Sequence, residues 1–404
     1  MIRIKNVSLP VDHTASVLYQ AVAKKLSLPS EAIADVELVR RSLDARRRDS
    51  ILYVYTVDVR VDDDIKLSVD AIENSDVSET PDAAYRFHVN PSHVHVIRPI
   101  IVGAGPCGLF AALLLARCGF RPIILERGRP VRERMRDVRV FWRDGVLNPQ
   151  SNVLFGEGGA GTFSDGKLNT QVKDRENRRL WILREFVKAG APPEIQYENK
   201  AHIGTNNLIK VIENLRTAIT TLGGEIRYDS QVTGLITKSD SLQGVVINNT
   251  DEMNAENILF AIGHSARDTF NMIYESGVAL EQKAFSIGAR IEHPQTLIDA
   301  AMYGVHSDNP ALGAADYKAV WHCKNGRSVY TFCMCPGGHV IATCNEPGGI
   351  ATNGMSFFAR KGKNANSGLL VGVEPRDYGD SHPLAGIAFQ RRWEQAAYRL
   401  GGGN

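Results

Sequence analysis

Residues 99–116 read PIIVGAGPCGLFAALLLA, a run without a charge bounded by Arg98 and Arg117. A helix of about 18 apolar residues can cross the hydrocarbon core of a bilayer. The interior of the run argues against a span. Gly103, Gly105 and Gly108 fall at G-x-G-x-x-G spacing, and Pro106 would remove a backbone hydrogen bond from a continuous helix. Residues 99–102 are short, branched and apolar, as a buried parallel strand is, whereas residues 109–117 are rich in alanine and leucine, as a packed helix is. The run reads as strand, tight turn, helix. With 43% hydrophobic and 23% charged residues over 404 positions, the composition is that of a globular chain, and no other segment resembles a span. A net charge of +2 gives no global pull toward nucleic acid or an anionic membrane. The first residues lack the apolar stretch of a secretory signal, and six cysteines in a chain this long suit free thiols in a reducing compartment. Cytoplasm is the expected location.

Glycines at this spacing have a physical use. The first permits the tight turn, the second removes a side chain that would block a pyrophosphate, and the third lets the helix pack on the strand. Amides at the helix start, aided by its dipole, then hold the phosphates. After the helix, PIILE supplies a second strand ending in Glu126, which lies 23 positions beyond Gly103 (126 − 103). An acid there accepts ribose hydroxyls and disfavours a 2′-phosphate, so NAD or FAD is expected and NADP is not. The next segment, ERGRPVRERMRDVRVFWRDGVLNPQ, carries seven arginines within residues 127–143, and an insertion of this kind suits flavoproteins. A second cluster, FGEGGAGTFSDGKL, repeats the glycine spacing at Gly156, Gly158 and Gly161. No apolar helix and no acid-ended strand follow it, so it is not a second nucleotide domain. It reads as an approach surface in which Gly158, Gly159 and Gly161 bring amides near a flat ring or a phosphate, with Ser164, Asp165 and Lys167 facing that ring.

The expected fold class is α/β: a small N-terminal α+β domain (residues 1–96), a Rossmann-like nucleotide domain (97–285), and a mixed, incomplete substrate or cap domain (286–404). In the first, residues 2–9 read as a strand, 14–26 as a helix, and 34–40 with 51–61 as paired strands. The connection RRSLDARRRD, with Arg40, Arg41, Arg46, Arg47 and Arg48, is either a solvated hairpin tip or an anion dock for RNA phosphates or an acidic electron-transfer partner. Residues 63–91 read as a surface loop. Residues 205–222 keep helical spacing, and three strand-like runs then lead back into the sheet as a meander. The last third reads as short strands rich in glycine. The histidines have no metal-ligand spacing, and there is no G-x-S-x-G elbow.

GAGPCGLFAA with LERG, FGEGGAGTFSDGKL, LFAIGHSARDT, GARIEHPQ, FCMCPGGHV, NGMSFFARKGKNANSGLLV, HPLAGIAFQRRWEQA and RRSLDARRR together resemble a family of largely uncharacterised bacterial FAD-dependent dehydrogenases. That family is related to the flavoproteins built like glutathione reductase. The resemblance implies FAD, with its pyrophosphate on Gly103, Gly105, Pro106 and Gly108, the adenosine ribose at Glu126 beside Arg127, and the adenine near Val232. It implies that Ala261 to Gly263 close over the dinucleotide, with Ile262 where related proteins have threonine. The group's late glycine–aspartate motif is not found. Gly379-Asp380 comes closest, and the chain is expected to stop inside its substrate domain.

Under this resemblance the chain is expected to be an FAD-dependent oxidoreductase of an unidentified small molecule, with NAD(P)H as a transient donor and a redox protein as a candidate partner. The alternative is a non-catalytic or RNA-associated flavoprotein that works through its arginine-rich unit. His264, beside Arg267, is the candidate proton donor, and Lys167 the candidate cation at the flavin edge. Arg290, Glu292 and His293 are further pocket candidates. Cys333 and Cys335 in FCMCPGG are two apart, so on a strand both face one side as a candidate thiol pair reduced through the flavin, although C-x-C is not the C-x-x-C of disulfide reductases.

Overall fold

The computed structural model describes residues 1–62, 75–87, 97–170, 172–239 and 241–403. Apolar alternation in the first part builds an antiparallel sheet of β1 (Ile2–Pro10), β2 (Ile33–Asp44), β3 (Leu52–Val61) and β4 (Val77–Glu79), ordered β2-β3-β1-β4. Ile4, Val57 and Val59 pack one face of it against Leu18, Val22 and Leu26 of α1 (Ala15–Leu26). Two expectations change here. Arg40 and Arg41 lie inside β2, because pairing with β3 continues to Asp44, and only Arg46, Arg47 and Arg48 occupy the connection. Of the expected surface loop, residues 77–79 pair with β1 as an edge strand, while 63–74 and 88–91 lie outside the described residues. The unit docks on the remainder of the chain. Tyr53 donates its hydroxyl to Ala311 O at 2.6 Å, Arg41 N donates to Tyr197 O at 2.8 Å, and Ile51 packs with Tyr303, Leu312 and Ala315.

The uncharged run folds as β5 (Ile100–Val102), a glycine turn and α2 (Pro106–Arg117). After them come β6 (Ile123–Leu125), α3 (Val131–Asp144), α4 (Arg178–Lys188), α5 (Thr205–Thr221), β7 (Glu225–Arg227), β8 (Val232–Lys238), β9 (Ser241–Ile247), β10 (Asp251–Asn254), β11 (Ile258–Phe260) and α6 (Arg267–Glu275). A parallel sheet forms in the order β11-β5-β6-β7. Its central strands β5 and β6 are apolar and buried at every position because both faces are covered. Ile101 and Ile124 face α2 and α5, whereas Ile100, Val102, Ile123 and Leu125 face Val232, Val245 and Ile247 of a separate antiparallel sheet, β10-β9-β8. The expected meander is thus divided: β7 and β11 join the main sheet, and β8 to β10 form a layer of their own. Strand order reverses between β5 and β11, and a ligand crevice opens outside the carboxyl ends of strands at such a point. No helix among the described residues is long and apolar enough to cross a membrane.

The last third contains β12 (Phe285–Pro294), α7 (Gln295–Tyr303), β13 (Val320–His322), β14 (Ser328–Cys335), β15 (Gly338–Thr343), β16 (Ala351–Ser356), β17 (Asn364–Val373) and α8 (Ala385–Leu400). The strands are longer than the glycine content suggests, since β12 and β17 pair from Phe285↔Val373 to Pro294↔Asn364. They form the sheet β12-β17-β14-β13, beside the hairpin β15-β16.

The turn between β5 and α2 has no room for a side chain at its third glycine: a Cβ on Gly108 would stand 1.9 Å from Gly103 O. Gly108→Ala is expected to lower stability by about 2–3 kcal/mol in urea unfolding. An unchanged midpoint would show that the helix does not pack this closely.

Candidate functional site

At the reversal of strand order lies a cleft of about 580 Å³. Gly103, Gly105 and Pro106 form one wall, Gly159 and Gly161 of the second glycine loop form another, and Glu126, Arg127 and Val232 line one end. Ala261, Gly263 and His264 complete it from the segment after β11. Gly103 adopts φ +104°, and a Cβ there would meet Ala261 O at 2.6 Å, so glycine is what lets the two strand ends approach. A Cβ on Gly159 would stand 3.0 Å from Gly105 Cα. The two glycine turns therefore lie against each other, and Gly158 N stitches them by donating to Ala104 O at 2.8 Å. Gly108 and Gly158 sit behind the wall, the latter against Ile212 and Thr162.

Two buried charges shape this wall. Glu126 accepts from Ala104 N (2.7 Å), Gly128 N (2.9 Å) and Gly156 N (3.0 Å), tying three loops to one carboxylate. A carboxylate has about four acceptor positions, so one is left for a hydroxyl. Arg134 is fully buried. Its guanidinium donates to the carbonyls of Asn152 (2.8 Å), Val153 (2.8 Å), Gly156 (3.2 Å), Glu157 (2.8 Å) and Gly159 (2.9 Å). Arg134 is the residue that reading the sequence missed. The signal was present in its phase, since Val131, Arg134 and Val138 are the buried positions of α3 and lie three and four residues apart. A correction follows for the second loop: the amides of Gly156, Gly158 and Gly159 already donate to Glu126, Ala104 O and Gly156 O. What Gly159 offers a ligand is clearance.

The remaining candidates separate. His264 lies along the cleft; the surrounding protein, then Arg267, holds its imidazolium below the usual range, leaving it neutral near pH 7. Arg267 turns away, pairing with Glu346 (2.8 Å) and with Glu394 of α8 (2.7 Å). Arg127 makes a bidentate pair with Asp268 and lies 4.4 Å over the Phe155 ring. Lys167 and Cys335 do not line the cleft. Lys167 Nζ is 2.8 Å from Asp165 Oδ2 and 3.5 Å from Cys335 Sγ. The cause is Asp165, 1% exposed, a buried carboxylate that draws in Lys167, Arg360 and Ser356 as partners. Ser164 donates to Gly161 O. On β12, Arg290 donates to Asn366 Oδ1 (2.6 Å), Glu292 accepts from Val340 N (2.8 Å), and His293 meets the Tyr317 hydroxyl (2.8 Å). The arginines near the β2–β3 turn are largely paired: Arg40 with Asn199, Arg41 with Glu198, Arg46 with Asp44 and Arg47 with Asp49. Among the described residues no cluster of three or more His, Cys, Asp or Glu could hold a metal ion.

Removing the Arg134 guanidinium leaves buried carbonyls without a donor and takes away the positive charge that faces Glu126 and Glu157. Arg134→Met is expected to lose about 3–5 kcal/mol in urea unfolding; a loss under about 1 kcal/mol would contradict this role. Burial pushes the Asp165 carboxyl up, but Arg360 and Lys167 outweigh it and hold it well below the usual carboxylate range. Its stabilisation is therefore present above the unfolded value of about 4 and lost as acid protonates it. The stability gap between the wild type and Asp165→Asn is expected to be widest near neutrality and to narrow below about pH 4. A gap independent of pH would contradict the pairing.

Residues 96–256 match the family described as FAD binding domain, and residues 284–404 match FAD-dependent protein, C-terminal domain-like. Residues 1–60 match a domain of unknown function. An uncharacterized protein of Clostridium beijerinckii is 45% identical over 404 residues, which cover 100% of this chain and 75% of that protein. Among solved structures, Thermovibrio ammonificans THI4 is 19% identical over 46% of this chain and 66% of that chain, with a TM-score of 0.31. The flavin-dependent brominase Bmp2 is 13% identical over 72% of this chain and 60% of that chain, with a TM-score of 0.35. The chain thus spans under two thirds of the length of either structure. Through its full-length match to the Clostridium beijerinckii protein, and with an FAD binding domain joined to an FAD-dependent C-terminal domain, the chain belongs to that protein's family of FAD-dependent proteins.

Proposed function

We propose that this chain is an FAD-dependent oxidoreductase, a dehydrogenase or reductase of glutathione-reductase-like build, acting on a small molecule. The observation that carries the reading is the cleft at the strand reversal, where two glycine turns meet without side chains beside the start of α2 and a buried acid. The residues present fit the dinucleotide. Gly103, Gly105 and Pro106 would hold the pyrophosphate against the dipole of α2, with Gly108 behind them letting the helix pack on the turn, the open acceptor position of Glu126 would take an adenosine ribose hydroxyl, and Val232 would flank the adenine. Ala261 and Gly263 would close over the dinucleotide, and Arg127, bound to Asp268, would brace that end. Bound FAD supplies two-electron chemistry, whereas the chain supplies position, electrostatics and exclusion of water.

His264 is the cleft's proton-handling group. Its Nδ1 is engaged by Ser265 Oγ at 2.6 Å, which leaves Nε2 to exchange a proton with a substrate. NAD(P)H would serve as a transient donor at the open face, and a redox protein is a candidate acceptor. Six free thiols suit a reducing, cytoplasmic setting. The RNA-associated reading is weakened by the arginines of residues 40–47, whose charges already face carboxylates and an amide.

A clean test uses Gly105, where an added Cβ would sit at an ordinary 3.8 Å from Gly159 Cα yet fill the cleft. Gly105→Val is expected to unfold like the wild type while binding FAD about 100-fold more weakly, a loss of roughly 2.7 kcal/mol. Wild-type affinity in that variant would overturn the placement. For the donor, flavin absorbance of the wild type is expected to bleach with NADH or NADPH without oxygen; an unchanged spectrum would remove NAD(P)H from the scheme.

A further inference from the structure

Outside the cleft, five segments converge on one pair of sulfurs. β14 breaks its pairing with β17 between Phe332 and Cys335, an extra residue being accommodated by a bulge in which Cys333 takes φ +49°. The bulge ends the simple alternation expected for a strand. It brings Cys335 Sγ to 3.3 Å from Cys333 O. Cations approach from two sides. Lys167 Nζ lies 3.5 Å from Cys335 Sγ, and Arg290 from β12 reaches Cys333 O at 3.3 Å. Asn366 stands opposite Cys335 on β17; it is fully buried, and its Nδ2 has no acceptor. Gly354 of β16 makes the convergence possible, since a Cβ there would stand 2.4 Å from Arg290 Nη1, 2.4 Å from Asn366 Oδ1 and 2.8 Å from Cys335 Sγ.

Cysteines kept only as packing sit among apolar neighbours that disfavour the thiolate. This pair is surrounded by donors. We infer that Cys333 and Cys335 form a second reactive centre, a thiol pair that closes to a disulfide on meeting a hydroperoxide. The division of labour follows from the contacts. The Cys335 thiol, then Lys167 and Arg290, outweigh burial and bring the Cys333 thiol well below its usual range, whereas the shared hydrogen bond, with burial, pushes Cys335 up. Cys333, half-buried, is the nucleophile, and Cys335, fully buried, is the resolving thiol.

The chemistry balances. Attack of the Cys333 thiolate on the peroxide forms a sulfur–oxygen bond and breaks the oxygen–oxygen bond; the departing alkoxide takes a proton and leaves as alcohol, or as water from hydrogen peroxide. In the proposed step Lys167, beside Cys335, and the unused Asn366 donor supply the charge and the hydrogen bond that the departing oxygen takes up. The Cys335 sulfur then displaces the hydroxyl from the Cys333 sulfenic acid, releasing water and forming the sulfur–sulfur bond. Two electrons pass from the pair to the peroxide, and a thiol reductant restores both thiols. None of this rests on the cleft or its cofactor.

The test treats the full chain with hydrogen peroxide near neutral pH, blocks remaining thiols, and locates each cysteine by fragment mass spectrometry. The expected product is a Cys333–Cys335 link, seen as a peptide lighter by two hydrogens and reversed by dithiothreitol, while Cys323 and Cys344 stay reduced. In Cys335→Ser, Cys333 is expected to yield a dimedone adduct instead. At pH 6, iodoacetamide is expected to label Cys333 at least about tenfold faster than the half-buried Cys323, an advantage that Lys167→Met reduces. Oxidation of Cys323 or Cys118 ahead of the pair, or equal labelling of Cys333 and Cys323, would overturn the inference.

Discussion

The guanidinium of Arg134 has no exposed surface, yet its donors all meet oxygen, and the architecture of the cleft depends on this arrangement. Burying a lone cation is opposed by several kcal/mol of lost hydration unless hydrogen bonds and opposite charge replace it. Here the carbonyls of residues 152–159 replace it, with Glu126 and Glu157 close enough to favour the charge. A glycine-rich loop has no side chains with which to hold a shape. This one is held by a cation that collects its carbonyls and by an acid that collects amides of the same loop and of the turn beside it.

From that core the site assembles outward. α3 carries Arg134 beneath the second glycine loop, Glu126 directly follows β6, and the Gly158 amide closes the seam against Ala104. The walls are consequently fixed by backbone hydrogen bonds rather than by mobile side chains, which is what a binding surface for a long, anionic dinucleotide requires. The same construction explains why Arg127 and Arg267, both close to the cleft by sequence, contribute bracing. Each is turned to carboxylates, Arg127 to Asp268 and Arg267 to Glu346 and Glu394, so their charge is consumed in joining α6 and α8 to the rest.

Much of the nucleotide half was legible in the sequence because its signals are local. Three glycines and a proline within an apolar run leave strand, turn and helix as the arrangement that satisfies the backbone, and Glu126 follows from the length of that unit. Arg134 was hidden by abundance, one of seven arginines, and only its phase with Val131 and Val138 distinguishes it. The surroundings of Lys167 were hidden for a different reason. Its spacing from the glycines fixes proximity along the chain but not direction, and the direction is set by Asp165 meeting Arg360 from a distant strand connection. Cys333 and Cys335 show the same limit: a period of two predicts a shared face, but the bulge that turns Cys335 Sγ back to Cys333 O arises from pairing with β17. Local periodicity carries no record of such long-range choices.

The central claim is that this cleft receives the adenylate side of FAD, so the most direct measurement is competition on the flavin-free full chain. The account predicts that ADP displaces FAD at a single site, whereas FMN, which lacks the adenylate, neither binds with comparable affinity nor competes. FMN binding as tightly as FAD, with ADP without effect, would contradict it.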